Sequence, residues 1–435
     1  MKRCPECRRD YLDDSLLYCL DDGTALLEGP GAAIASSEQR TLSFEKATIL
    51  DGTESSRSPG AKKSKDLVRI FVTVVAAIVV VTVAAGYFLY HRTPELAGSF
   101  REPGSPAYDY YVRGKLDSDA ENEERNANAI KVLENVVKRD STFAPAYAEL
   151  ARAYSIRAND WAPDAEKPKL FDEARLAAEK SLLLDPNLAE GHVVRAFVMW
   201  TTAGRFPHEQ AILSLKKAVE IDPNLAAAHQ QLGLIYLHIG LFDKAWDEDQ
   251  KAIAINPGDT SSRLRLGLNE EYRTHYDRAY TILKTIPPEA NPAIVNRAMA
   301  IVLFQLGRTD EAAKVVDEFL SANPDEGGNV TSVKAMLFAR AGRADAAEAA
   351  IEKAIDIGKG YQHFHHTTYN IACAYALLNK HEEAIKWLQT TADEGFPCYP
   401  MFENDHNLDS LRGDEKFIAM MQALERQWES YKAEL

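Results

Sequence analysis

Three cysteines stand within the first twenty residues: Cys4 and Cys7 as a Cys-x-x-Cys pair, and Cys19 ahead of Leu20-Asp21-Asp22-Gly23. Two such knuckles, four thiolates in all, clamp a tetrahedral zinc ion. Here the second knuckle reads Cys-x-x-Asp. The expected ligand set is therefore Cys4, Cys7, Cys19 and the carboxylate of Asp22, with Asp21 as the fallback. The ion is a structural one, and metal-free or redox-active thiols are the alternative. Reduced thiols suit a cytoplasmic segment.

Few other residues carry chemistry. The chain has no Gly-x-Ser-x-Gly elbow, no phosphate loop ending in Gly-Lys-Ser/Thr and no His-Glu-x-x-His pair. It reads as a non-enzyme. His363-Phe364-His365-His366 is the one dense histidine cluster. His365 and His366 are adjacent, so on a helix they are expected to point apart, and the segment reads as a polar helix start. The remaining cysteines, Cys373 and Cys398, could pair as a disulfide; the favoured expectation is buried free thiols, since Cys373 lies on a small-residue helix face.

The element that must hold the cysteines is small, residues 1–27. It resembles the short zinc ribbons at the N-termini of many bacterial membrane proteins, departing from them at Asp22 and at Arg8, where a glycine usually follows the first knuckle. Its basic residues Lys2, Arg3, Arg8 and Arg9 are outnumbered by Glu6, Asp10, Asp13, Asp14, Asp21 and Asp22. Phosphate binding needs a net basic face, so nucleic acid is not the expected partner. The net charge of −15 points the same way.

Residues 28–69 read as a linker, rich in Ser, Gly, Ala and charge, with no sustained apolar period. Residues 70–90 then run without a charge, rich in Val and Ala. At about 1.5 Å per residue this run covers roughly 30 Å, the thickness of a bilayer's hydrocarbon core. Tyr87 and Tyr90 sit where interfacial aromatics belong. Lys62, Lys63, Lys65 and Arg69 precede the run, whereas only His91 and Arg92 come closely after it. The bias predicts a single-pass inner-membrane protein with a cytoplasmic N-terminus and an extracytoplasmic, or periplasmic, remainder. Residues 91–104 link the span to the rest of the chain.

Residues 105–395 repeat. Asp222-Pro223 and Asn256-Pro257 bracket one unit with Leu232-Gly233, Tyr236, Gly240, Ala245 and Ala252 between them. Leu232, Ile235, Tyr236 and Ile239 recur at helical spacing, Gly240 ends that helix, and Phe242, Ala245, Ala252, Ile253 and Ile255 line a second one. Leu184-Asp185-Pro186-Asn187 mirrors Ile221-Asp222-Pro223-Asn224 one unit upstream. About eight units are expected, with an insertion at residues 157–168. The pattern resembles the tetratricopeptide repeat (TPR), which implies an all-α solenoid of helix–turn–helix units. Asn370-Ile371-Ala372-Cys373-Ala374-Tyr375, Gly395-Phe396-Pro397 and Leu408-Asp409-Ser410-Leu411-Arg412 resemble the TPR regions joined to bacterial adenylate cyclases, serine/threonine kinases and membrane-bound winged-helix regulators. Residues 396–435, with Phe417, Met420, Met421, Leu424, Trp428 and Tyr431 in one stripe, are expected to cap the array.

In such arrays the first helix of each pair lines the concave face. The resemblance thus implies that Phe197, Trp200, Gln230, Leu234, His238, Leu264, Leu268, Tyr272 and Phe304 face a groove suited to an apolar or amphipathic peptide. Packing against the adjacent helix is the competing role for each of them. The whole chain reads as a membrane-anchored TPR scaffold for protein partners. The alternative is a membrane-bound regulator whose ribbon contacts nucleic acid or RNA polymerase.

Overall fold

The computed structural model describes residues 99–118, 122–201 and 204–435, together with three two-residue strands, Lys2–Arg3 (β1), Asp10–Tyr11 (β2) and Leu27–Glu28 (β3). The chain divides into two units, Met1–Arg92 and Thr93–Leu435. In the first, β1 pairs antiparallel with both other strands in the order β2-β1-β3, Lys2 lying opposite Tyr11 on one side and Glu28 on the other. Cys4, Cys7, Cys19 and Asp22, the linker and the expected span at residues 70–90 lie outside the described residues. Among the described residues, no helix is long and apolar enough to cross a membrane.

The second unit is helical. Sixteen helices form eight consecutive pairs: α1 (Pro106–Ser118) with α2 (Glu123–Arg139), α3 (Ala144–Asp160) with α4 (Lys167–Leu184), α5 (Ala189–Met199) with α6 (His208–Ile221), and α7 (Ala226–His238) with α8 (Phe242–Ile255). Then come α9 (Thr260–Tyr272) with α10 (Tyr276–Leu283), α11 (Pro292–Gln305) with α12 (Thr309–Ala322), α13 (Asn329–Arg340) with α14 (Ala344–Gly358), and α15 (Phe364–Leu377) with α16 (His381–Asp393). A short α17 (Tyr399–Asn404) and a long α18 (Glu415–Glu434) complete the chain.

The period has local causes. The Asp-Pro-Asn turns close on themselves: Asp185 and Asp222 each accept a bond from the backbone N–H of the asparagine two residues on, at 3.0 and 2.9 Å. His192 and His229, at equivalent places in α5 and α7, donate back through Nε2 to the carbonyls of Pro186 and Pro223. Within pairs, the turn residue takes a left-handed conformation: Gly240 (φ 75°), Thr274 (63°), Gly307 (75°), Gly342 (68°) and Asn379 (57°). Such residues end a helix while satisfying its last carbonyls. Small residues set the separation between partners. A Cβ at Gly233 would lie 2.7 Å from Asp249 Oδ1 on α8, and Ala245 and Ala252 are fully buried.

The insertion at residues 157–168 is partly helical: α3 runs on to Asp160 and α4 begins at Lys167, with residues 161–166 between them. One expectation needs revising. The C-terminal segment is more than an end cap. Phe396 through Leu411 runs into the concave side of the array, along α7, α9, α11, α13 and α15. Cys398 Sγ reaches the carbonyl of Leu237 in α7, Gln305 of α11 donates to Asp405, and Arg340 of α13 donates to Asn407. The stripe on α18 buries Phe417, Met420, Met421, Leu424 and Tyr431, and Trp428 Nε1 donates to the carbonyl of Gly240 at 3.1 Å. Lys216 of α6 donates to the backbone oxygen of Leu435. One apolar core thus extends from Val193 to Leu435.

Candidate functional site

The residues expected to line an open groove are instead largely core. Trp200, His238, Leu264, Leu268, Tyr272 and Phe304 are buried, and Phe197, Gln230 and Leu234 are half-buried. Trp200 is covered by Phe206, His208, His238 and His363, and Phe304 by Arg340 of the next repeat, whereas His238 and Tyr272 are covered by the segment after α16 through Phe396. The apolar side chains of that segment, Phe396, Met401, Phe402 and Leu408, occupy the surface that a peptide would have used. What remains between it and Tyr276, Met336 and Tyr369 is a cavity of about 20 Å³, room for one water molecule.

Asp405 fixes the register of this insertion. Its carboxylate accepts bonds from the Tyr369 hydroxyl (2.7 Å), Gln305 Nε2 (3.2 Å) and its own neighbour Asn407 N–H (2.8 Å). Its partners come from α15, α11 and the inserted segment, so one buried carboxylate joins three parts of the chain. Beside it, Glu271 and Arg297 form a buried ion pair at 3.7 Å. Desolvation raises the Glu271 carboxyl to about 7, Arg297 opposing the shift.

At the other end of the inserted segment four imidazoles converge. His238, the last residue of α7, meets His363, His365 and His366 at the start of α15. One potential ligand nitrogen from each lies within 4.8 Å of all the others. Adjacent residues on a helix were expected to diverge, yet the His365 and His366 ring centroids are 4.6 Å apart. The convergence comes from the second helix: His238 of α7 enters between them, 5.1 Å from each ring. The wall is aromatic. Phe396 lies 5.8 Å from His365 and 5.1 Å from His366, Trp200 lies 5.1 Å from His238, and Phe206 lies 5.6 Å from His365.

Burial holds these imidazoles neutral. It pushes His238, His365 and His366 well below the usual histidine range, and their mutual repulsion adds to it. His363 is lowered to about 4. His208, which accepts a bond from Trp200 Nε1 at 2.9 Å, is lowered by the same desolvation to about 3. The cluster includes His238 from the sequence-derived groove set and joins it to a histidine run 125 residues on, the separation from His238 to His363 in the chain. Phe396, Asp405 and His208 carried no sequence signal of this role beyond the Gly395-Phe396-Pro397 break. Cys373 and Cys398 are both free and buried, and burial raises both thiols.

Comparison with known families agrees with the helical pairs. Residues 297–362 and residues 366–390 match tetratricopeptide repeat families. Similar solved structures include a tetratricopeptide repeat protein from Parabacteroides merdae, 17% identical, covering 62% of this chain and 98% of that one with a TM-score of 0.44. Yeast Tom70 is 16% identical, covering 77% and 67% with a TM-score of 0.39, and Pseudomonas aeruginosa pilF is 18% identical, covering 52% and 96% with a TM-score of 0.38. No curated protein matches the chain. The chain carries tetratricopeptide repeats, and its described helical unit is an all-α solenoid of that type. Repeats of this kind are generally non-catalytic platforms for protein or peptide partners.

Proposed function

We propose that this protein is a single-pass membrane scaffold that gathers protein partners on its TPR array. The repeat architecture carries this reading: eight helix pairs present extended surface, and their buried polar groups serve internal ties. The charge-free run at residues 70–90, with Lys62–Arg69 before it, supports an anchor whose N-terminus is cytoplasmic and whose array is extracytoplasmic. Cys4, Cys7, Cys19 and Asp22 supply three thiolates and a carboxylate, a donor set that suits structural zinc. β1 and β2 flank the first pair in sequence. Zinc there would supply the folding energy that so short a segment lacks.

Because the C-terminal segment fills much of the concave face, the partner uses the surface that stays accessible beside it. Phe197, Gln230 and Leu234 of the expected groove set remain half-buried. A photocrosslinking residue at Phe197 or Leu234, introduced into the full-length protein in living cells, tests the reading. The expected result is a covalent protein adduct in the membrane fraction. Absence of any protein adduct from both positions, with the chain recovered in the soluble fraction, would refute it.

A further inference from the structure

The four-histidine cluster poses a hydrogen-bonding problem. His238 Nδ1 lies 2.8 Å from the carbonyl of Leu234, and His365 Nδ1 lies 2.8 Å from the carbonyl of Glu394. A carbonyl oxygen only accepts, so each Nδ1 carries the proton. A neutral imidazole has one N–H, so each Nε2 is then a bare lone pair. These two lone pairs face each other at 3.1 Å, fully buried. Two buried acceptors with nothing between them cost free energy. A cation between them removes that cost.

The spacing suits one. Ligand nitrogens 2.0–2.1 Å from a tetrahedral ion stand roughly 3.3 Å from each other. The Nε2–Nε2 separation of 3.1 Å is close to that, and one ligand nitrogen of each of the other two rings lies within 4.8 Å of these. Tyr272 Oη sits 3.4 Å from His366 Nδ1, leaving Nε2 of that ring for the ion. Orientation of a ligating imidazole by a carbonyl or hydroxyl on its other nitrogen is the usual outer support of such sites. Charge is partly met as well. His238 closes α7, and the Glu394 carbonyl caps α16, so two helix C-termini turn their negative ends toward the cluster. The start of α15 opposes them.

We propose that His238, His363, His365 and His366 bind one divalent first-row transition-metal ion of the zinc class, which staples the middle of the array to its C-terminal end. Imidazole donors without carboxylates select zinc, nickel, copper or cobalt over magnesium and calcium. Trp200, Phe206 and Phe396 keep water from the ion, which makes the site structural. His363, the half-buried member, gives the ion its way in.

The test uses the full-length protein in detergent micelles, carrying Cys7→Ser to silence the proposed N-terminal ribbon. It is loaded with zinc or cobalt(II), desalted and assayed for metal. One equivalent should be retained, and bound cobalt should show ligand-field absorption without a thiolate charge-transfer band. His365→Ala should abolish retention. His363→Asn, at the half-buried edge of the cluster, should weaken affinity at least tenfold. A chelator should lower the melting temperature of the Cys7→Ser protein and leave that of His365→Ala unmoved. No retained metal in the Cys7→Ser protein overturns the proposal, whatever the other variants do. So does an equivalent that survives both histidine substitutions.

Discussion

Replacing Phe396 with alanine separates an array with a free tail from one whose groove is filled by its own chain. Phe396 is 1% exposed, and its ring centroid lies 5.1–6.1 Å from those of His238, Tyr272, His365, His366, Tyr369 and Phe402. Losing the transfer free energy of a buried phenyl group costs about 2–3 kcal/mol. The six surrounding rings belong to three helices and a short α17, so they cannot collapse together into the hole. The cavity brings the expected loss to about 4 kcal/mol. For a unit of roughly 340 residues melting cooperatively, the unfolding entropy converts this to a fall of about 6 °C in Tm. Leu213→Ala is the control. Leu213 is 58% exposed on α6, and its truncation should stay within about 0.5 kcal/mol. Circular dichroism melts give the shift, and amide exchange locates it: protection should drop most in α7, α9 and α15 and least in α1 and α2, whose core cluster is separate. If Phe396→Ala melts no lower than Leu213→Ala, the segment does not fill the groove, and Trp200, His238 and Tyr272 return to being candidates for partner binding.

Two further outcomes probe the same interior. Gly240 and Gly342 both hold φ near 70°, but a Cβ on Gly240 would lie 2.6 Å from Pro400 Cδ whereas one on Gly342 meets nothing. Both alanine variants should lose about 1–2 kcal/mol from the left-handed backbone, and Gly240→Ala about 1–3 kcal/mol more from overlap; equal losses in denaturant titrations would mean that the α7–α8 turn does not bear on the inserted segment. Arg297→Met should leave Glu271 buried without its cation and cost about 3–5 kcal/mol at pH 8. The sign with pH comes from a carboxyl raised in the folded state to about 7: folding is helped by protonation, fully below the unfolded value near 4.5, and that help is lost as pH rises through 7. The deficit of Arg297→Met should therefore shrink between pH 8 and pH 5, and a deficit independent of pH would show that Glu271 reaches water.

The repeat units were legible because their signals are local. Asp222-Pro223-Asn224 makes its own turn, Gly240 ends its own helix, and Ala245 reports a close neighbour without saying which atoms it meets. The groove was legible only as a list of faces. His238 and Tyr272 lie on the first helices of their pairs and Trp200 just past the end of α5, but the same residue types serve an open binding surface and a buried one. α15 shows why: Phe364–Leu377 has no polar face, a mark of a helix enclosed on all sides, and that enclosure is supplied by residues beyond Gly395.

By itself, the sequence determined the helical pairs, their period and the tight contacts between partners, since each depends on residues a few positions or one repeat apart. Tertiary structure alone decided where the chain closes on itself. The small rotation from each repeat to the next accumulates until α15 stands near α7, and no local pattern encodes that sum. Only then does His238 meet His365 with both Nδ1 protons committed to carbonyls, and only then does Phe396 find six rings around it. A histidine run that reads as a polar helix start in one dimension becomes, through that curvature, a buried set of convergent lone pairs.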